Sequence, residues 1–182
     1  AETVATGSAA AAAGGFTALL AMANTNPVTD TAEAAYRENL ISSYLNRVAR
    51  AAVVELAEGI GKTRQPVKIL ELGAGVGGTT ADVVAGLAEL SVPLDYHFTD
   101  VSEFFLHTAR EHFAAYGWMR FGILDMNRAL SAYDERHDIV IASNVLHNAH
   151  HIGRTLTELH DLLKPGGAVV IIESIDAYAQ LL

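Results

Sequence analysis

The stretch ILELGAGVGGTT, residues 69–80, decides the fold of this chain. An apolar run reaches the acid Glu71 and passes into a glycine-rich turn. Thr79 and Thr80 then open a segment of helical character. Strand, tight loop and helix start is the order that aims free backbone N–H groups at a ligand. Gly73, Gly75 and Gly78 spell G-x-G-x-x-G, a spacing that on its own permits a dinucleotide. Glu71, one turn earlier, complicates that reading.

Outward from this loop the pattern alternates. Residues 67–72 read as a strand and 77–90 as a helix. Residues 94–99 read as a strand ending at Asp100, and Ser102 is placed to cap a helix running to 116. A third strand over 119–124 ends at Asp125, and 131–135 reads as a short turn or helix. Residues 138–142 are a strand, 151–163 a helix, 164–167 (KPGG) a turn, and 168–172 a strand. Five strands with intervening helices give an α/β class, a Rossmann-like doubly wound sheet of mainly parallel strands. The runs IVIA and AVVII fit strands buried on both faces.

Upstream, Thr29-Asp30-Thr31 offers helix caps. A long amphipathic helix is expected from there to about Glu58, before Gly59 and Gly61. Its apolar face reads as Tyr36, Leu40, Tyr44 and Val48, widened by Ile41, Leu45, Ala52 and Leu56. Residues 9–15 are low complexity, and 16–22 suit a short helix. The expected organisation is a linker with a short helix over 1–28, a helical lid segment over 29–65, and a core over 66–182.

With 182 residues the chain suits one principal domain with a sizeable core. No apolar run approaches the roughly 18 residues of a membrane helix, so no membrane partner is expected. A net charge of −9 argues against nucleic acid as a partner. The start AETVATGS lacks the basic region of a secretion signal, and there are no cysteines. A cytoplasmic location is the expectation.

In open α/β sheets ligands bind beyond the carboxyl ends of the strands. Those ends carry Glu71 with the glycine loop, Asp100, Asp125, Asn144 with His147, and Glu173. A carboxylate such as Glu71 repels a dianionic pyrophosphate, which counts against NAD even though Asp100 follows Gly78 by 22 residues. S-adenosylmethionine carries a sulfonium, an ammonium and one carboxylate, so an acid beside N–H donors suits it. Asp100 then suits ribose hydroxyls and Asp125 an adenine amino group. The competing readings are a plain tight turn at the glycines and helix caps at the two aspartates.

ILELGAGVGGTT, HFTDVSEFFLHTAREHF, LDMNR, HDIVIASNVLHNAHHIGRTL and LLKPGGAVVIIE occur in that order. Together they resemble the class I S-adenosylmethionine-dependent methyltransferases, and more narrowly the C-methyltransferase domains of polyketide synthases. The resemblance covers roughly residues 36–173. It implies that Glu71, Gly73, Ala74, Gly75 and Gly77 line the methionine end of the cofactor. Asp100 with Val101 would bind ribose, Asp125 with Met126 adenine, and Asn144 would flank the methyl donor. His147 matches the catalytic histidine and Glu173 the acid that pairs with it. The implied reaction is methylation of the α-carbon of a β-ketoacyl chain on an acyl carrier protein, beside neighbouring synthase domains, with S-adenosylhomocysteine as product.

An O-methyltransferase acting on a hydroxyl is the alternative within the class. A non-catalytic structural domain is the alternative outside it. The family pattern ends in two further strands that this chain is expected to lack. His147, His150 and His151 form H-x-x-H-H, which invites a metal, but no third ligand accompanies them and none is expected.

Overall fold

The computed structural model describes residues 40–128, 130 and 133–173, and chiefly the compact unit Leu45–Ser174. The expectations for residues 1–28, the caps at 29–31, Tyr36, residues 131–132 and the segment after Glu173 lie outside the described residues.

The elements are α1 (Leu40–Gly61), β1 (Val67–Leu72), α2 (Gly78–Leu87), β2 (Leu94–Asp100), α3 (Glu103–His112) and β3 (Met119–Ile123). They continue with β4 (His137–Ser143), a 3-10 turn (Leu146–Asn148), α4 (Ile152–Asp161) and β5 (Leu163–Ile172). The sheet order is β3-β2-β1-β4-β5, and every neighbouring pair is parallel. The chain reverses its winding direction between β1 and β4. Such a switch point leaves a crevice outside the strand ends, and here it lies between the glycine loop and the segment after β4.

Both faces of the central strands β1 and β4 are covered, as their continuous apolar runs require, whereas the AVVII run of β5, expected to be buried on both faces, is only partly covered because β5 lies at a sheet edge. On one face Ile69, Tyr96, Phe98, Ile139 and Ile141 belong to one core with α1 and α2. On the other, Leu70, Leu72, Val140 and Ala142 belong to a core with Leu146, Leu159 and Leu162.

The α1 face differs from its expectation. Tyr44 and Val48 are 60% and 47% exposed, whereas Ala49, Val53 and Ala57 are buried. The reason is close approach to α2. A Cβ on Gly86 would lie 2.6 Å from Arg50 Nε and 2.8 Å from a Val54 methyl. Gly86 thus makes room for Arg50 and Val54 beside the buried stripe, and Leu56 of the expected face still packs against the core, so the buried face is rotated from the expected one.

The other boundaries shift by less. The third strand stops at Ile123, so Leu124 and Asp125 are loop; α2 ends at Leu87 and α3 at His112. The Ser102 side chain makes no cap. Asp100 Oδ1 instead accepts the Ser102 N–H at 2.8 Å. β5 begins at Leu163 rather than 168, because the KPGG turn is absorbed as an irregularity within the strand pairing. Partners step from His137↔Leu163 to Ile139↔Ala168, with Gly166 at φ 77°. Asp138 braces this step with side-chain bonds to Lys164 (2.7 Å) and Arg64 (2.6 Å), and accepts the Lys68 N–H (2.8 Å). β5 and β3 are the two edges of the sheet among the described residues, and Ile171 of β5 is 46% exposed.

A second polar cluster lies near the amino ends of the strands. The Tyr133 ring stacks between His97 and His137, at centroid distances of 5.9 and 5.8 Å. The Tyr133 hydroxyl is hydrogen-bonded to His97 Nδ1. Glu135 accepts from Lys68 Nζ at 2.6 Å and from Arg120, which also reaches Asp95 at 2.7 Å. His137 is fully buried, and neither ring nitrogen has a hydrogen-bond partner.

Candidate active site

Three glycines shape the loop after β1. Gly73, Gly75 and Gly77 have φ of 59°, 56° and 77°, a region that L side chains disfavour. Their surroundings differ. A Cβ on Gly73 would fall 2.2 Å from Val145 Cγ2, so this glycine lets the loop seat against the segment after β4. A Cβ on Gly77 would meet the Phe113 ring at 3.0 Å. Gly75 has nothing within 4 Å, so at this position the backbone faces open space. Ala74 donates its N–H to the Thr99 carbonyl at 2.9 Å, which ties the loop to β2.

Glu71 lies beneath this loop rather than at its open side. It is 1% exposed, and its Oε2 accepts the Thr80 and Tyr96 hydroxyls, each at 2.7 Å. Burial pushes its carboxyl up to about 7, against the pull of those two bonds. Asp100, at the end of β2, accepts the Gly75 N–H at 2.9 Å with Oδ2, so one carboxylate holds both the loop and the start of α3. Val101 beside it is 64% exposed. Asp125 Oδ1 accepts the Asn127 N–H at 2.9 Å, and Met126 is buried next to it.

The ends of β4 and β5 are joined by one carboxylate. Glu173 Oε1 accepts the N–H groups of Val145 (2.8 Å) and Leu146 (2.6 Å), and Oε2 meets His147 Nδ1 at 2.9 Å. Burial raises the Glu173 carboxyl, but the bonds from His147, Leu146 and Val145 outweigh it and hold the group below its ordinary value. An ionised Glu173 accepts from Nδ1–H, which leaves the lone pair of the neutral ring on Nε2. His147 is 59% exposed, so the ring lies within reach of a substrate, with Asn148 Nδ2 3.1 Å from Nε2. Asn144 adopts φ 49° and donates its N–H to the Ile172 carbonyl at 2.7 Å.

Sequence reasoning passed over several members of this arrangement. Asn46 on α1 accepts from Thr79 Oγ1, which is also 2.9 Å from Ser143 Oγ, so α1, the glycine loop and β4 share one polar chain. A buried asparagine in an otherwise apolar helix face was the available signal. Tyr96 and Thr80 carried none, because their roles depend on strand register. The H-x-x-H-H motif does not converge. Among the described residues the side chains that draw close enough to suit a metal are His97, Glu135 and His137. Glu135 already serves Lys68 and Arg120 there.

A parallel sheet of this order, with a glycine loop and acids at successive strand ends, is the Rossmann-like core of a class I methyltransferase. The profile of the methyltransferase domain family matches residues 70–169, and the chain belongs to that family. It is 36% identical over 140 residues to the non-reducing polyketide synthase pks11 of Talaromyces marneffei, across 76% of this chain and 5% of that protein. It is 39% identical over 123 residues to the iterative polyketide synthase afoE of Emericella nidulans, across 65% of this chain and 4% of that one. The chain thus spans only about a twentieth of the length of these curated relatives.

Among solved structures, the DszA carbon methyltransferase superposes with a TM-score of 0.75 at 26% identity, covering 86% of this chain and 42% of that one. The CurJ carbon methyltransferase gives 0.68 at 29%, covering 84% and 38%. S-adenosylmethionine is the methyl donor of this family. The open backbone at Gly75, with Asp100 directly behind it, fits a ligand that approaches the main chain closely. No helix among the described residues is long and apolar enough to cross a membrane.

Proposed function

We propose that this chain is the C-methyltransferase domain of a polyketide synthase and methylates the α-carbon of a β-ketoacyl chain held on an acyl carrier protein. The observation that carries this reading is the Glu173–His147 pair, fastened to the backbone after β4 and set across from the glycine loop. Similarity to polyketide synthases and to two carbon methyltransferases supports the same chemistry.

A carbon between a ketone and a thioester is acidic enough for a neutral imidazole to deprotonate. His147 Nε2 takes that proton. Glu173 fixes the tautomer and stabilises the imidazolium that forms. Bound S-adenosylmethionine supplies the electrophilic methyl group. Gly73, Ala74, Gly75 and Gly77 would hold its methionine end, Asp100 and Val101 the ribose, and Asp125 and Met126 the adenine. Asn144 would flank the methyl donor. Glu71 acts from beneath, by bracing the loop through Thr80 and Tyr96. The proposed division keeps residues 66–182 as the core, 29–65 as a lid segment and 1–28 as a linker, with the α1 part of that segment packed on the core.

Mass spectrometry of carrier-bound products tests the reaction. A β-ketoacyl substrate is expected to gain one methyl group on its α-carbon, and the matching β-hydroxyacyl substrate none. Methylation of the β-hydroxyl would assign O-methylation instead.

A second measurement tests the cradle. Gly75→Ala puts a side chain into the open space and strains the backbone by about 1–2 kcal/mol. The affinity for S-adenosylmethionine, read by calorimetry, is expected to fall roughly tenfold or more. Unchanged affinity would remove Gly75 from the cofactor site.

A further inference from the structure

The ring nitrogen assigned as the base already has a partner. Asn148 Nδ2 lies 3.1 Å from His147 Nε2. Glu173 holds the proton on Nδ1, so Nε2 is an acceptor, and only the amide NH2 of Asn148 can donate to it. The Asn148 backbone is held independently. Its N–H donates to the Val145 carbonyl at 3.0 Å, and its carbonyl accepts from Asn127 Nδ2 at 3.2 Å. The side chain is exposed and can turn on this fixed backbone.

Proton transfer changes what that amide can do. Nε2 has a single acceptor lone pair, so the amide gives up this bond as the substrate α-carbon–hydrogen bond takes its place, and once Nε2 holds the proton it is a donor to which Asn148 cannot return. In the same event the C–H electron pair moves into the substrate, and negative charge gathers on the adjacent carbonyl oxygen. That oxygen is about 2.4 Å from the α-carbon by standard bond lengths. A substrate presenting its α-carbon to Nε2 therefore brings the oxygen to the neighbourhood of a donor that sits 3.1 Å from the same nitrogen.

We propose that the Asn148 side-chain amide is a second catalytic group, which leaves His147 Nε2 and donates to the enolate oxygen of the β-ketoacyl substrate. The proposal rests on the base assignment for His147. In the step the α-carbon–hydrogen bond breaks, a bond from Nε2 to hydrogen forms, and the electron pair resides in the enolate. The charge that develops is met by a donor that needs only a side-chain turn on a fixed backbone to reach it, and a hydrogen bond aimed at developing charge contributes to rate.

The test follows deuterium entering the α-carbon of a β-ketoacyl thioester in D2O, with the intact protein and no methyl donor. Asn148→Ala is expected to slow exchange and kcat by about 10- to 100-fold, with KM within a factor of about two. Asn148→Ser keeps a short donor and should recover part of the rate. It also replaces the Ala variant if that one fails to fold. His147→Ala is run alongside. If His147→Ala abolishes exchange while the Asn148 variants exchange as fast as the parent, the Asn148 role is wrong and the base assignment stands. If His147→Ala also exchanges at the parent rate, both fall. A matched rise in KM with kcat unchanged would assign Asn148 to substrate binding and overturn the proposal.

Discussion

His147→Ala is expected to lower the rate of methyl transfer by at least about 1,000-fold while leaving the affinity for S-adenosylmethionine within about threefold. The expectation follows from the separation of the two sets of groups. The proposed cofactor cradle depends on the glycine loop, on Asp100 and on the loop after β3, none of which is hydrogen-bonded to the His147 ring. General-base catalysis by one side chain contributes about 100- to 10,000-fold. The high end applies here because Glu173 has already set the tautomer and no other base is bonded to that carboxylate among the described residues.

Glu173→Gln tests the pair more finely. It removes the charge that stabilises the imidazolium, and an amide can present its NH2 to Nδ1 and favour the wrong tautomer. Its carbonyl oxygen can still accept from the Val145 and Leu146 N–H groups, so the local fold should persist. A loss of about 100-fold or more in kcat, with unchanged thermal stability, is the expected result. Single-turnover rates alongside cofactor titrations separate chemistry from binding. If His147→Ala transferred methyl at near the parent rate, the base would have to be another group.

The strand ends were legible because strand, polar terminus and loop repeat at intervals that the apolar runs make plain. Glu71, Asp100 and Asn144 all fall at or just beyond the ends of parallel strands, and pattern alone placed them there. What those side chains touch was not legible. Glu71 appeared to face a cationic ligand, yet it is buried under the loop and accepts from a hydroxyl on the neighbouring strand. That contact depends on the register Glu71↔Phe98, which sets Tyr96 two residues back on the same face. Pairing register follows from how the apolar patterns of separate strands match, so no single stretch states it. The α1 face is rotated from its expectation for a related reason, although Leu56 does pack on the core. Periodicity weighs residue size, while the α1–α2 seam is decided by how near two backbones come. Asn148 was hidden because its meaning depends on which nitrogen of His147 carries the proton, and that is fixed by a residue on another strand.

His137→Phe is expected to stabilise the fold near pH 7 by about 1–3 kcal/mol and to flatten its loss of stability in mild acid. Neither buried ring nitrogen makes a hydrogen bond, and the Glu135 carboxylate 3.9 Å from Nε2 repays little of their desolvation, so a phenyl ring removes most of that cost while keeping the stack on Tyr133. The pH effect has the same origin. Burial chiefly, with Arg120 also opposing a second positive charge, lowers both His97 and His137 to about 4. The unfolded chain binds their protons near 6.5 and the folded chain only near 4. Their contribution is therefore complete above about 6.5 and is lost as pH falls from there toward 4. After allowance for screening at the more open edge of the cluster, the pair accounts for roughly 3 kcal/mol. Glu135 and Asp95 partly oppose this by favouring the charged rings.

Other groups act in different windows or with the opposite sign. Glu135 is held down to about 2 because bonds from Lys68 and Arg120 overcome its burial, so its contribution fades only below about 4.5. Glu71, raised to about 7 by burial, takes up its proton first in the folded state and gains stability for the fold between about 7 and 4.5. Wild type alone would therefore show a blunted slope. The difference between wild type and His137→Phe cancels Glu71 and isolates the histidine. Urea midpoints measured at pH 7.5, 6, 5 and 4 should show the gap between the two proteins widening as pH falls, by about 1–2 kcal/mol over that range. A constant gap would mean that His137 takes up its proton in the fold as readily as in the unfolded chain, and that the cluster at the amino ends of the strands is open to water.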